Sequence, residues 1–126
     1  MTAITHGTDI KPLRGAVIRR VTLGESVTKG DPITLQSDGK WDMSDADAAQ
    51  LTVAVAVQGG VDTDRVDAVV LGPVQCLSGA TPGVLVYTSN TEGDYDDGVA
   101  STKDTVIGYA ESATVLFVLP QIVDFT

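Results

Sequence analysis

The sequence predicts an all-β protein, a small barrel or sandwich of short strands with an internal pseudo-repeat, and three observations predict it. Aromatics make up only 5% of the 126 residues while Val, Ala, Thr and Gly abound, so the core is expected to consist of small and β-branched side chains that suit pleated strands. About eight short apolar runs follow one another with Gly, Pro, Asp and Ser between them, the spacing of a barrel or sandwich. A strand-turn-strand unit from Gly30 to Trp41 recurs in looser form from Pro82 to Tyr95. Ile33, Leu35, Ser37, Gly39 and Trp41 align with Leu85, Tyr87, Ser89, Gly93 and Tyr95, the second turn being two residues longer. A chain of this length fits one domain and buries roughly two thirds of its unfolded surface.

Residues 1–14 show neither helical nor strand period, mixing Thr, Gly7, Asp9 and Pro12 with Ile4, Ile10 and Leu13. They read as an extended N-terminal arm, with a disordered terminus as the alternative, and residues 15–126 read as a single β-rich domain. Ala16 to Val21 forms the first strand, stopped by Gly24 and Glu25. Ile33 and Leu35 then alternate with Thr34 and Gln36, which places the apolar pair on one strand face. Asp38 and Gly39 predict a two-residue hairpin turn, since both positions must tolerate positive φ, and Trp41 returns on the Leu35 side.

Ser44 to Gln50 is the one short helix expected, capped by Ser44 and with Asp45 and Asp47 at the positive end of its dipole. At about two turns it needs tertiary support. Strands resume with Val53 to Val57, Val66 to Leu71 and Val74 to Leu77, the gaps marked by Gly59–Gly60 and Gly72–Pro73. After the second hairpin and an acidic loop, Glu92 to Gly98, come Val106 to Ala110 and Thr114 to Leu119.

The formal charge of −9 is unevenly spread. Residues 1–40 hold six Lys or Arg against four Asp or Glu, a net +2, while residues 41–126 hold two against thirteen, a net −11. A body this acidic repels phosphate, so direct nucleic-acid binding is not expected. The basic front segment suits an acidic protein surface, including a neighbouring copy of this chain. Cys76 is the only cysteine, which rules out an internal disulfide and a thiolate metal cage, and its strand-like setting reads as a small buried apolar residue. Met1 to Pro12 lacks the pattern of a secretory signal, and no run approaches the ~20 apolar residues of a membrane helix. A soluble protein with no membrane partner is expected.

Chemistry finds few footholds. The only histidine, His6, lies in the arm, where a general base would be poorly oriented, so nucleophilic catalysis is not expected. No glycine-rich phosphate loop is present. Asp42, Asp45 and Asp47 form one acidic cluster and Glu92, Asp94, Asp96 and Asp97 another. An EF-hand loop begun at Asp94 would place Thr105 where a bidentate Glu belongs, so a solvated loop is preferred to a calcium site, and no metal or cofactor is assigned. Val27 to Leu35, leading to Lys40 at a hairpin tip, looks like the lipoyl and biotinyl carrier domains, whose modified lysine sits on such a turn. Gly39 before Lys40 and Trp41 after it depart from the pattern that their modifying enzymes read.

The run Gly30–Asp31–Pro32 to Trp41, the Asp and Ala stretch Ser44 to Ala49, the small-residue strand Val53 to Val57 and Leu71–Gly72–Pro73–Val74 follow one another in a familiar order. Leu77 to Gly83, Val86 to Ser89 and Val106 to Ala110 continue it. Together they resemble the small β-rich capsid decoration, or cement, proteins of tailed bacteriophages. The resemblance implies a non-enzymatic virion protein, made in the host cytoplasm, that binds the outer surface of the assembled head as a homotrimer. It would bridge adjacent capsomers of the major capsid protein and stabilise the capsid against internal DNA pressure. Another β-rich virion component, a head fibre or tail accessory domain, is the alternative structural role. N-terminal arms make capsid or subunit contacts in such proteins. By position, that puts Ile4, Thr5, His6, Ile10, Pro12, Leu13 and Arg14 first, with Arg19 and Arg20 second, since neighbouring strand residues point to opposite faces.

Overall fold

A computed structural model describes residues 3–44, 53–89, 91–98 and 106–119. Among them the chain runs through β1 (Ala3–Pro12), β2 (Val17–Thr22), β3 (Pro32–Leu35), β4 (Trp41–Met43), β5 (Val53–Ala56), β6 (Arg65–Ser78), β7 (Leu85–Thr88), β8 (Tyr95–Asp96), β9 (Val106–Ala110) and β10 (Val115–Val118). The protein is all-β, as the composition predicts, and no helix occurs among the described residues. The helix expected over 44–50 lies outside them except for Ser44, which is buried in a loop. No helix of the described residues is long and apolar enough to cross a membrane.

Six strands close into an antiparallel barrel in the order β1-β8-β7-β9-β10-β6, with β6 returning to β1. Its filling is what the composition allows: Val55, Val69, Val74, Val86 and Val118 with Leu77, Ile107, Leu116 and Tyr95, all fully buried or nearly so. A second sheet, β2-β6-β5-β3-β4, grows from the first half of β6. It curls until its ends meet at a single bridge from Leu23 to Trp41, where Gly24 N–H donates to the Trp41 carbonyl at 2.9 Å. Leu23, Ile33, Ala54, Ala56, Val66 and Ala68 form a second core inside that curl.

Strand β5 explains its own sequence. All four residues of Val53-Ala54-Val55-Ala56 are buried because both faces are covered: the valines enter the first core and the alanines the second. Alternation in side-chain size replaces the alternation in polarity of a half-exposed strand. Val69 and Ala68 on β6 divide in the same way.

The two halves of the pseudo-repeat occupy matching places in the two sheets, β4-β3-β5 in one and β8-β7-β9 in the other. Their burial is out of phase with the sequence alignment, however. Ile33 is fully buried whereas its aligned partner Leu85 is 47% exposed and Val86 takes the inward position. A one-residue slip exchanges the faces of a strand, and the longer second turn absorbs the offset.

Three local expectations are corrected. The first hairpin turn has three residues, Ser37 to Gly39, because Gln36 N–H still donates to the Lys40 carbonyl at 2.8 Å and only Gly39 adopts positive φ, 84°. Gly72–Pro73 does not end a strand; β6 runs through it. Gly72 takes φ 103° within the ladder, and Pro73 sits where the partner on one edge changes from β2 to β1, while on the other edge it stays in register with Phe117 of β10.

The third correction concerns the arm. Residues 3–12 are extended, but they form a barrel strand rather than a separate arm. β1 pairs with β6 through Thr5↔Ser78, His6↔Leu77, Lys11↔Gln75 and Pro12↔Val74, and with β8 through Ala3↔Asp96 and Ile4↔Tyr95. Its weak alternation reflects a bulge between His6 and Lys11 and a tight crossing at Gly7, where a Cβ would lie 2.7 Å from the Leu77 carbonyl oxygen. Partners distant in sequence, not local pattern, give this segment its order.

Candidate functional site

The barrel strand β1 carries His6 into a cluster that its position near the terminus conceals. Its Nδ1 lies 3.6 Å from Asp31 Oδ1 and its Nε2 3.6 Å from Asp94 Oδ1, and its ring tilts against Tyr95 with centroids 5.1 Å apart. Tyr95 donates its hydroxyl to the Gly30 carbonyl at 2.6 Å, and Cys76 Sγ lies 3.6 Å from the Tyr95 hydroxyl oxygen. His6 is therefore oriented, contrary to the expectation for an arm residue, because β1 is hydrogen-bonded on both sides. What surrounds it is two carboxylates and an aromatic face. Asp31 is held in turn by Thr28 N–H at 3.0 Å.

Burial raises the Asp31 carboxyl above its ordinary value of 3.8; the Thr28 hydrogen bond and His6 oppose this and Asp94 adds to it. Since the folded state then holds the Asp31 proton more tightly than the unfolded chain, this group's contribution to stability declines as pH rises from about 4 through the raised value. Asp42, raised by burial and then by Glu25, Asp38 and Asp62, acts with the same sign. Asp31→Asn is expected to flatten the fall in stability between pH 4 and 7 in urea titrations; an unchanged slope would show that Asp31 titrates normally.

Cys76 is fully buried and its thiol is pushed up to about 12 by burial, partly offset by the Tyr95 hydroxyl. The thiolate is the reactive form, so the native protein should be silent to a thiol-specific disulfide reagent at pH 8 and yield its one thiol only in denaturant. Rapid labelling of the native fold would contradict the burial.

The position-based contact residues separate sharply. Ile4 belongs to the first core, Ile10 packs against that core, and Pro12 and Leu13 are half-buried, Leu13 N–H donating to the Pro73 carbonyl at 3.1 Å. Thr5, Arg14, Arg19 and Arg20 are exposed. Arg20 pairs with Asp67 at 3.3 Å across the ladder, and Arg19, on the opposite strand face, has no ion-pair partner among the described residues. At the first hairpin, Lys40 lies 3.4 Å from Asp62 Oδ1. In the acidic loop, Asp94 turns to His6 while Asp96 is buried in β8, and no group of three potential metal ligands converges among the described residues.

One concavity was not anticipated. It is a cleft of about 490 Å³ between β2 and the first hairpin, floored by Val21, Leu35, Trp41 and Val70 and bordered by Arg19 and Arg20. It exists because β2 and β4 belong to one curled sheet yet meet only at the Leu23–Trp41 bridge. A faint sequence signal preceded it: Arg19 interrupts the face that Val17 and Val21 share on β2, a charge on an apolar strand face. Just outside, Val17, Ile18 and Leu71 are 45%, 44% and 41% exposed. No protein-family model matches the chain, and no curated protein does either.

Proposed function

We propose that this protein is a non-enzymatic decoration protein of a tailed-phage head, which binds the outer surface of the assembled shell and bridges adjacent capsomers. The observation that carries this reading is an exposed apolar and basic surface on an otherwise acidic chain. Val17 and Leu71 face each other across the β2–β6 ladder, Arg19 shares the strand face of Val17, Arg14 precedes the strand, and Ile18 is exposed on its other face. Large aliphatic side chains next to cations on a body of net charge −9 suit a partner with an acidic, partly apolar face. The closed barrel, with two cores sharing β6, supplies the stiffness that a bridging element needs.

Repetition on a lattice makes a modest contact sufficient, because each copy docked on a shared shell strengthens the particle through many equivalent interfaces. Self-association into a homotrimer belongs to the same proposal. The contacts are assigned to Thr5, Arg14, Arg19 and Arg20, the exposed members of the position-based set, while Ile4 is committed to the core. Mixing the purified protein with undecorated heads should give saturable, stoichiometric binding and raise the temperature at which the heads rupture. Heads that sediment without the protein at saturating concentration would refute the reading.

A further inference from the structure

We propose that the cleft beside β2 is a strand-addition site, which takes an extended segment of a partner protein that carries a carboxylate between two apolar side chains on one face. The first support is the backbone. β2 pairs with β6 along one edge, and among the described residues its other edge makes no backbone hydrogen bond from Val17 to Thr22. A row of unpaired donors and acceptors facing a concavity is a template for another strand.

The second support is the cleft itself. At about 490 Å³ it falls within the roughly 300–1,000 Å³ of sites that seat ligands. Leu35, Trp41 and Val70 give it an apolar floor that would take the apolar side chains on one face of an added strand. Charge completes the match: Arg19, without an ion-pair partner among the described residues, borders this floor and can hold a carboxylate through its planar fork. The incoming segment therefore pairs its backbone with β2, buries an aromatic or aliphatic side chain against Trp41 and sets an acidic residue on Arg19.

The inference stands apart from the capsid reading: failure to bind heads leaves it in place, and failure of strand addition leaves head binding open. Trp41 is the only tryptophan in the chain, so its emission reports the cleft directly. The probe is the peptide acetyl-Thr-Val-Thr-Glu-Thr-Phe-Thr-amide, in which Val, Glu and Phe share one strand face, titrated into the full chain. A saturable change in Trp41 emission, with slowed amide exchange in β2, is expected. The same peptide N-methylated at its three central amides, or with Lys in place of Glu, should bind at least tenfold more weakly. Arg19→Glu should lose at least tenfold in affinity while keeping the parent's circular dichroism; if that variant misfolds, Arg19→Ala replaces it with an expected loss of about threefold or more. No saturable change up to millimolar peptide, or equal binding by the N-methylated peptide, overturns strand addition. Equal binding by the lysine peptide overturns the assignment of a carboxylate-bearing partner.

Discussion

Deleting residues 2–12 is expected to abolish cooperative folding of the chain, not to release a dispensable arm. The deletion removes β1, the strand through which β8 and β6 close the barrel. Ile4 leaves the first core, where a buried side chain of its size contributes about 1.5–3 kcal/mol. Ile10 leaves with it, the flank of Tyr95 loses the His6 ring, and two strand edges open to solvent. Together these losses reach roughly 5 kcal/mol, comparable with the whole net stability of a domain this size. Far-UV circular dichroism during heating should show either no transition or a midpoint lowered by more than about 15 °C, given that 1 kcal/mol shifts such a domain by about 4 °C. A truncated chain within about 1 kcal/mol of the parent in urea would show that β1 is ornamental to the barrel.

Replacing Tyr95 should come second in size. Tyr95 is the largest of the fully buried side chains, and its hydroxyl reaches from β8 in the barrel to the Gly30 carbonyl just before β3 in the second sheet. Tyr95→Ala empties the space of a ring and is expected to cost about 3–5 kcal/mol, the range for aromatic truncation in a core. Tyr95→Phe keeps the ring and strands the Gly30 carbonyl, at about 1–3 kcal/mol. The difference between the two, read from urea unfolding, separates packing from the hydrogen bond. Equal losses would mean that the ring's volume contributes nothing and would contradict its burial. Tyr95→Ala should also loosen His6, whose ring rests on Tyr95, whereas Tyr95→Phe keeps that contact.

How much of this was legible in the sequence depended on how local each determinant is. Strands with their own alternation and punctuation, such as β3 with its Asp38–Gly39 turn or β9 and β10, were readable within a residue or two. β1 was not, because its order comes from β6 and β8, which lie some sixty to ninety residues away, and because the bulge after His6 spoils any period. The passage of β6 through Gly72–Pro73 was hidden for a related reason. Glycine and proline ordinarily punctuate, and only the change of partner at that point lets the ladder continue.

The candidate site was the least legible part. Seven of the nine contact residues came from residues 3–14 by analogy of position, and burial removes Ile4 from that set. The cleft depends on a gap between β2 and β4, which is a property of how a sheet curls and leaves no mark on either strand except Arg19. The repeat was seen but misphased, since hairpins whose turns differ in length can be aligned on turn residues or on buried faces, and the two alignments disagree at Leu85 and Val86.

The long strand β6 has one further consequence. Because its first half lines the second core and its second half the barrel, with β5 buried between the two cores, the molecule has no seam along which one part can melt while the other persists. The amide protons that β5 and β6 donate within their ladders should exchange only through whole-molecule opening, as a single cooperative unit. A load applied at either end is then carried along one continuous backbone to the other, so the protein yields all at once or not at all.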